Sequence, residues 1–153
     1  MTDTTIPARS KRRGRRRKGE TAPLRNFYLA PRFARRDEMQ EYADDLARLG
    51  HGVWGNWIDN LFPESEDWLL MNPAITASIA RDDLADIDRA DIFVAFTEPP
   101  FNGDNRGGRH VELGYAIAKG KHVIVVGPRE NVFHCLFGIE VFETWEAFLR
   151  SLQ

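Results

Sequence analysis

Two unbroken apolar runs, Asp91–Thr97 (DIFVAFT) and His122–Gly127 (HVIVVG), constrain what this chain can fold into more than any other feature. A strand with one wet face alternates apolar and polar residues, and these runs offer no polar face. They read as central parallel strands covered by helices on both sides. Between them, Arg109–Lys119 carries Val111, Ala116, Ile117 and Ala118 over much of its surface and reads as the crossover helix.

The rest of the chain repeats the alternation. Asn26–Ala30 (NFYLA), ended by Pro31, suits a first strand. Arg35–Leu49 places Met39, Tyr42, Ala43, Leu46 and Leu49 at helical spacing, with Gly50 as its C-cap. Val53–Trp57 reads as a second strand. Pro73–Arg89 reads as a helix whose buried row is Ile75, Ile79, Asp83 and Ile87, with Leu84 beside it, while Asp82, Asp86 and Asp88 face solvent. Glu140–Trp145 adds an edge strand and Trp145–Leu152 a closing helix. Short links between such elements imply a doubly wound α/β sandwich, a five-stranded, mostly parallel sheet in flavodoxin-like order. Ligands bind such sheets beyond the carboxyl ends of the strands. That places Ala30–Ala34, Asn56–Trp68, Thr97–His110 and Gly127–Cys135 around the expected site.

At 153 residues the chain is long enough for one domain with its own core, expected over residues 24–153. The net charge of −2 hides an asymmetry. Residues 1–20 hold eight Lys or Arg against Asp3 and Glu20, leaving 13 basic and 21 acidic residues in a body near −8. Residues 1–23 therefore read as a basic, disordered arm, in which residues 9–18 would contact nucleic acid non-specifically. A solvated tail, or one folding back on the acidic body, is the alternative. The arm has no aromatic residue for base stacking. No apolar stretch follows it as in a secretory signal, and no run is long enough to span a membrane. The single cysteine, Cys135, excludes an internal disulfide and fits the cytoplasm.

Chemistry concentrates in Gly107–Gly127, GGRHVELGYAIAKGKHVIVVG. It reads as a glycine loop, a helix with an acid in its first turn, and a buried strand. That acid, Glu112, would be kept ionised by the helix dipole; the bland reading is an acid that merely complements the dipole. Asp83, on an apolar stripe, must be paired, hydrogen-bonded or protonated, and a loop-holding acid is its bland reading. Two acids at one cleft suit glycosyl chemistry, one attacking or stabilising the sugar cation and the other protonating the leaving group. Tyr28 points to the core or to the cleft, where its hydroxyl would orient a carboxylate. Asp104, Asn105, Arg106, Gly107, Gly108 and Arg109 make a polar loop suited to a sugar or phosphate, or an ordinary solvated turn. Trp54, Trp57, Phe62 and Trp68 gather aromatic surface in one connection, more often core or interface than base-stacking wall. The histidines lack metal-ligand spacing, so no metal and no cofactor is expected.

The pieces FYLAPRF (27–33), DDLADIDRADIFVAF (82–96) and GGRHVELGYAIAKGKHVIVVG (107–127) together resemble the nucleoside 2-deoxyribosyltransferase family and the related 2′-deoxynucleoside 5′-phosphate N-hydrolases. The C-terminal ENVFHCLFGIEVFETWEAFL is similar to small phage and bacterial members. The resemblance implies Glu112 as a nucleophile forming a covalent deoxyribosyl ester, Asp83 as the acid that handles base protonation, and Tyr28 as the residue positioning the nucleophile. Transfer to a second base makes a transferase, and transfer to water a hydrolase. It also implies a homodimer or higher homo-oligomer whose neighbours complete the site. The approach to the glutamate, EPPFNGDNRGGRHVE, departs from the family's shorter glycine-rich one; Arg106 stands six positions before Glu112, and Asp104 could serve in place of a missing acid. Arg32, Arg106 and Arg109 around one cleft would suit a 5′-phosphate.

Two readings compete with the enzyme. One is a non-catalytic nucleotide-binding sensor using the same cleft. The other is a nucleic-acid-associated factor acting through the basic arm. Cleavage of nicotinamide from NAD ranks lower, because no dinucleotide fingerprint is present.

Overall fold

The computed structural model describes residues 24–55, 58, 72–99 and 107–153. The basic arm, the aromatic residues Trp57, Phe62 and Trp68, and the loop residues Asp104, Asn105 and Arg106 lie outside the described residues.

Five strands form one sheet: β1 (Asn26–Ala30), β2 (Gly52–Trp54), β3 (Ile92–Phe96), β4 (His122–Val126) and β5 (Glu140–Phe142). Their order is β2-β1-β3-β4-β5, and every pairing is parallel, not merely most of them. The four helices of the described residues are α1 (Arg36–Arg48), α2 (Pro73–Arg89), α3 (Gly108–Ala118) and α4 (Trp145–Leu152). A single 3-10 turn, Phe33–Arg35, leads into α1.

The period of two along each strand sorts the core into two layers. Phe27 and Leu29 of β1 join Ile92, Val94 and Phe96 of β3 against Met39 and Leu46 of α1 and Trp145 and Phe148 of α4. Tyr28 and Ala30 join Phe93 and Ala95 on the other face, against Ile87 of α2 and Leu113 and Ala116 of α3. Each large apolar side chain so buried contributes roughly 1.5–3 kcal/mol. Local signals set the ends of the helices. Asn72 caps α2 by accepting from the Ile75 N–H, with Pro73 at the first helical position, and the Thr144 hydroxyl caps α4 through the Ala147 N–H.

Two of the six described glycines with positive φ lie at the carboxyl edge of the sheet. Gly107 has φ +79° just before α3, a left-handed conformation that glycine adopts without steric cost. Gly127 has φ +115°, and a Cβ there would meet the Thr97 carbonyl oxygen at 2.6 Å. The exits of β3 and β4 are thereby held close together.

Two expectations for α2 need correction. Ile75 is 52% exposed, and Asp86, expected in solvent, is 1% exposed and paired with Arg89 at 3.0 Å. A row of residues four apart drifts about 40° round a helix at each step, so Ile75 ends up roughly 120° from Ile87. The face that meets the sheet therefore takes in Asp86, one turn beyond Asp83.

Candidate active site

Tyr28 lies in the middle of β1 and is 1% exposed, its ring stacked on Phe93 with centroids 5.6 Å apart and an interplanar angle of 12°. Sequence alternation sends it to the α2–α3 side, where the two helices bring Asp83 and Glu112, both half-buried, toward it. The Tyr28 hydroxyl faces the Glu112 carboxylate and favours its charged form. Core and cleft were alternatives for this tyrosine, and it serves both, its ring in the core and its hydroxyl on the acid.

Glu112 is not in the first turn of its helix. α3 begins at Gly108, which puts Glu112 in the second turn, past the reach of the free N–H groups. The dipole therefore does not govern its charge. Burial, and then the neighbouring Asp83 charge, push the Glu112 carboxyl up to about 7 against the opposing influence of the Tyr28 hydroxyl. Burial, with Asp86 and Asp82 after it, lifts Asp83 to about 6. Burial and the facing Glu112 and Asp83 charges raise Tyr28 well above its ordinary value, so it stays a neutral donor. Near neutral pH the two carboxyls thus hold about one proton between them, the condition for one to act as base or nucleophile while the other acts as acid.

The binding residues expected around this pair are placed differently. Arg32 follows β1 and meets Glu98, just beyond β3, at 2.7 Å; Arg35 reaches the same carboxylate at 3.8 Å and binds Glu38 at 2.6 Å. Gly107 and Gly108 open α3, with nothing among the described residues within 4 Å of where a Cβ would sit on either. Arg109 turns into the protein. Its Nη1 donates to the Phe96 carbonyl at 3.0 Å and its Nη2 to Glu130 at 2.9 Å.

Glu98 and Glu130 were missed in the sequence, and so was the burial of Asp86. Glu98 and Glu130 do fall in the Thr97–His110 and Gly127–Cys135 segments assigned to the carboxyl edge, and an arginine facing each was the available signal. His134, in one of those segments, is 1% exposed, and its Nδ1 accepts from the Glu130 N–H at 3.2 Å. Among the described residues, no three His, Cys, Asp or Glu side chains gather as metal ligands, and no helix is long and apolar enough to cross a membrane.

Comparison with known proteins bears on the same segments. No curated protein matches the chain significantly. Among solved structures, a CMP N-glycosidase from Clostridium botulinum superimposes with a TM-score of 0.51 at 22% identity, covering 83% of this chain and 97% of that one, which supports the fold. The sequence profile of the nucleoside 2-deoxyribosyltransferases matches residues 27–144, a span that includes Tyr28, Asp83 and Glu112. With most of its length matched, the chain belongs to the nucleoside 2-deoxyribosyltransferase family.

Proposed function

We propose that this protein cleaves the N-glycosidic bond of a 2′-deoxynucleoside or its 5′-monophosphate through a covalent intermediate on Glu112. The observation that carries the reading is the gathering of the Tyr28 hydroxyl and a second acid with a raised pKa, Asp83, beside Glu112. The ionised Glu112 carboxylate attacks C1′ of the sugar. The bond from C1′ to the base breaks, its electron pair leaves with the base, and Asp83 delivers a proton to that base. Asp83, now ionised, takes a proton from water or from a second base as that acceptor attacks C1′, and Glu112 is released. Splitting the displacement lowers each barrier, and protonation improves the leaving group. The Tyr28 hydroxyl fixes the carboxylate and favours its charged form.

Substrate choice rests on groups at the carboxyl edge. Among the described residues Arg32, Arg35 and Arg109 each face a carboxylate, so a 5′-phosphate would draw on Arg106 and on Arg32 at the expense of Glu98. The exposed Val111, Val132, Phe133, Leu136 and Phe137 supply apolar surface for the homodimer or higher oligomer that the family resemblance implies. An exposed free thiol at Cys135 favours the reducing cytoplasm.

The test is chromatographic detection of free base from a panel of 2′-deoxynucleosides and their 5′-monophosphates, with CMP added because the structural neighbour is a CMP N-glycosidase. Each is run with and without a second base. Base release that is lost in Glu112→Gln supports the reading, and exchange into the second base makes the protein a transferase. Substrate binding without release from any member would make it a nucleotide-binding module instead.

A further inference from the structure

We infer that Glu130 is a positioning residue for Glu112, acting through Arg109. This rests on the function proposed above and adds a residue outside the Tyr28, Asp83 and Glu112 cluster.

One carboxylate oxygen does two things. Glu130 Oε1 accepts from the backbone N–H of Glu98 at 2.9 Å and from Arg109 Nη2 at 2.9 Å. Glu98 lies just past the end of β3, and Arg109 is in the first turn of α3. Both ends of the connection from β3 to α3 are therefore tied to a single atom carried by the β4–β5 connection. The second arm of Arg109 closes the arrangement on the Phe96 carbonyl, at the last residue of β3.

The tie is itself held. The Glu130 N–H donates to Nδ1 of the buried His134, whose burial keeps the ring neutral and that nitrogen an acceptor. On the far side, the Glu98 side chain engages Arg32 at 2.7 Å, linking the exit of β1 to the same lattice. The pair is well covered, with Arg109 10% and Glu130 16% exposed. Arg109 Nε and Glu130 Oε2 are buried atoms with no hydrogen-bond partner among the described residues. A pair desolvated to this degree is costly to build, so its value lies in fixing geometry rather than in adding stability.

Glu112 follows Arg109 by three residues on the same short helix. The clamp consequently sets the height and rotation of the turn that presents Glu112 to Tyr28, which belongs to a different element. Displacement of a reacting group by about 1 Å can cost on the order of 100-fold in rate. An aspartate here would be too short to reach both donors, whereas glutamine keeps the Oε1 acceptor and loses only the charge.

The experiment is a 13C-NMR titration of the Glu112 carboxyl in the free full-length protein, wild type against Glu130→Ala and Glu130→Gln, with base-release kinetics on the same samples. Loosening the Tyr28 contact removes the influence that holds the Glu112 pKa down. Glu130→Ala should therefore shift the Glu112 titration upward by about half a pH unit or more. It should lower kcat roughly 10- to 100-fold, with KM within about 3-fold. Glu130→Gln should restore the titration and most of kcat. An unshifted Glu112 titration in folded Glu130→Ala overturns the inference, and so does a rise in KM with kcat intact. Should Glu130→Ala fail to fold, Arg109→Lys keeps the charge but cannot span both Phe96 and Glu130, and an unshifted Glu112 there overturns it equally. A shifted titration in a protein without turnover would sustain the clamp while removing the proposed activity.

Discussion

The Tyr28 hydroxyl faces the Glu112 carboxylate, bringing the middle of β1 to the second turn of α3 on the α2–α3 face of the sheet. Its influence opposes the burial and the Asp83 charge that together push Glu112 toward its protonated form. The proposed nucleophile must be both desolvated and ionised, and the tyrosine reconciles the two demands. The requirement for this pair of residues follows from the balance of those effects.

Tyr28→Phe removes the donor and leaves the ring stacked on Phe93. The Glu112 pKa should rise, moving the acid limb of the rate profile to higher pH. We expect kcat at pH 7 to fall about 10- to 100-fold. Stability, followed by urea unfolding, should fall by only about 1–2 kcal/mol.

The rate should be bell-shaped in pH. In the proposed mechanism the reactive form has Glu112 ionised and a proton on Asp83, the less populated of the two one-proton arrangements because Glu112 has the higher pKa, and the pair holds one proton in the region between about 6 and 7. Below it a second proton silences the nucleophile, and above it the acid is lost. Asp83→Asn should abolish the alkaline limb and slow release of unactivated bases by roughly 100-fold or more. A profile of kcat/KM against pH for both proteins checks this.

Folding stability should respond to the same shift. Between the ordinary carboxyl value of 4.5 and the raised value of about 7, native Glu112 binds more protons than it does in the unfolded chain. Its contribution to stability is therefore lost as pH rises through that interval. Glu112→Gln, which cannot ionise, should be more stable than wild type at pH 8 by about 1–3 kcal/mol and nearly equal to it at pH 4. Thermal unfolding at the two pH values reads the difference directly.

On the opposite face, Trp145 stacks on Tyr42 with centroids 4.4 Å apart, and its Nε1 donates to Asp45 at 2.9 Å. Trp145→Ala empties that site and should cost about 3–5 kcal/mol of stability. Because it lies across the sheet from Glu112, kcat of the folded protein should change less than about 3-fold. Denaturant titration alongside the base-release assay separates the two effects.

What could be read in the sequence had short-range or strongly periodic causes. β3 and β4 announced themselves because a strand covered on both faces has no polar residues to interrupt it. Helix α2 was legible from Pro73 at one end to Arg89 at the other. The sheet order followed from strand–helix alternation. Asp83 was found because it breaks an apolar row, yet Asp86 was misread because a strict four-residue row drifts off the true face. Glu112 was found, but its place was misjudged by one residue, enough to move it from the first turn to the second, since nothing local marks Gly108 rather than Arg109 as the start of α3. Glu130 was invisible as a partner of Arg109. The two are 21 residues apart in sequence and meet only when β3 and β4 lie side by side.

The central claim is that Glu112 carries the sugar. Rapid acid quench of the protein with its best substrate and no acceptor base, followed by intact mass and peptide mapping, addresses it most directly. The prediction is an adduct of one glycosyl group on the peptide containing Glu112, absent from Glu112→Gln, which should also release base at least about 1,000-fold more slowly. Base release by Glu112→Gln at close to the wild-type rate, or an adduct on another residue, would contradict it.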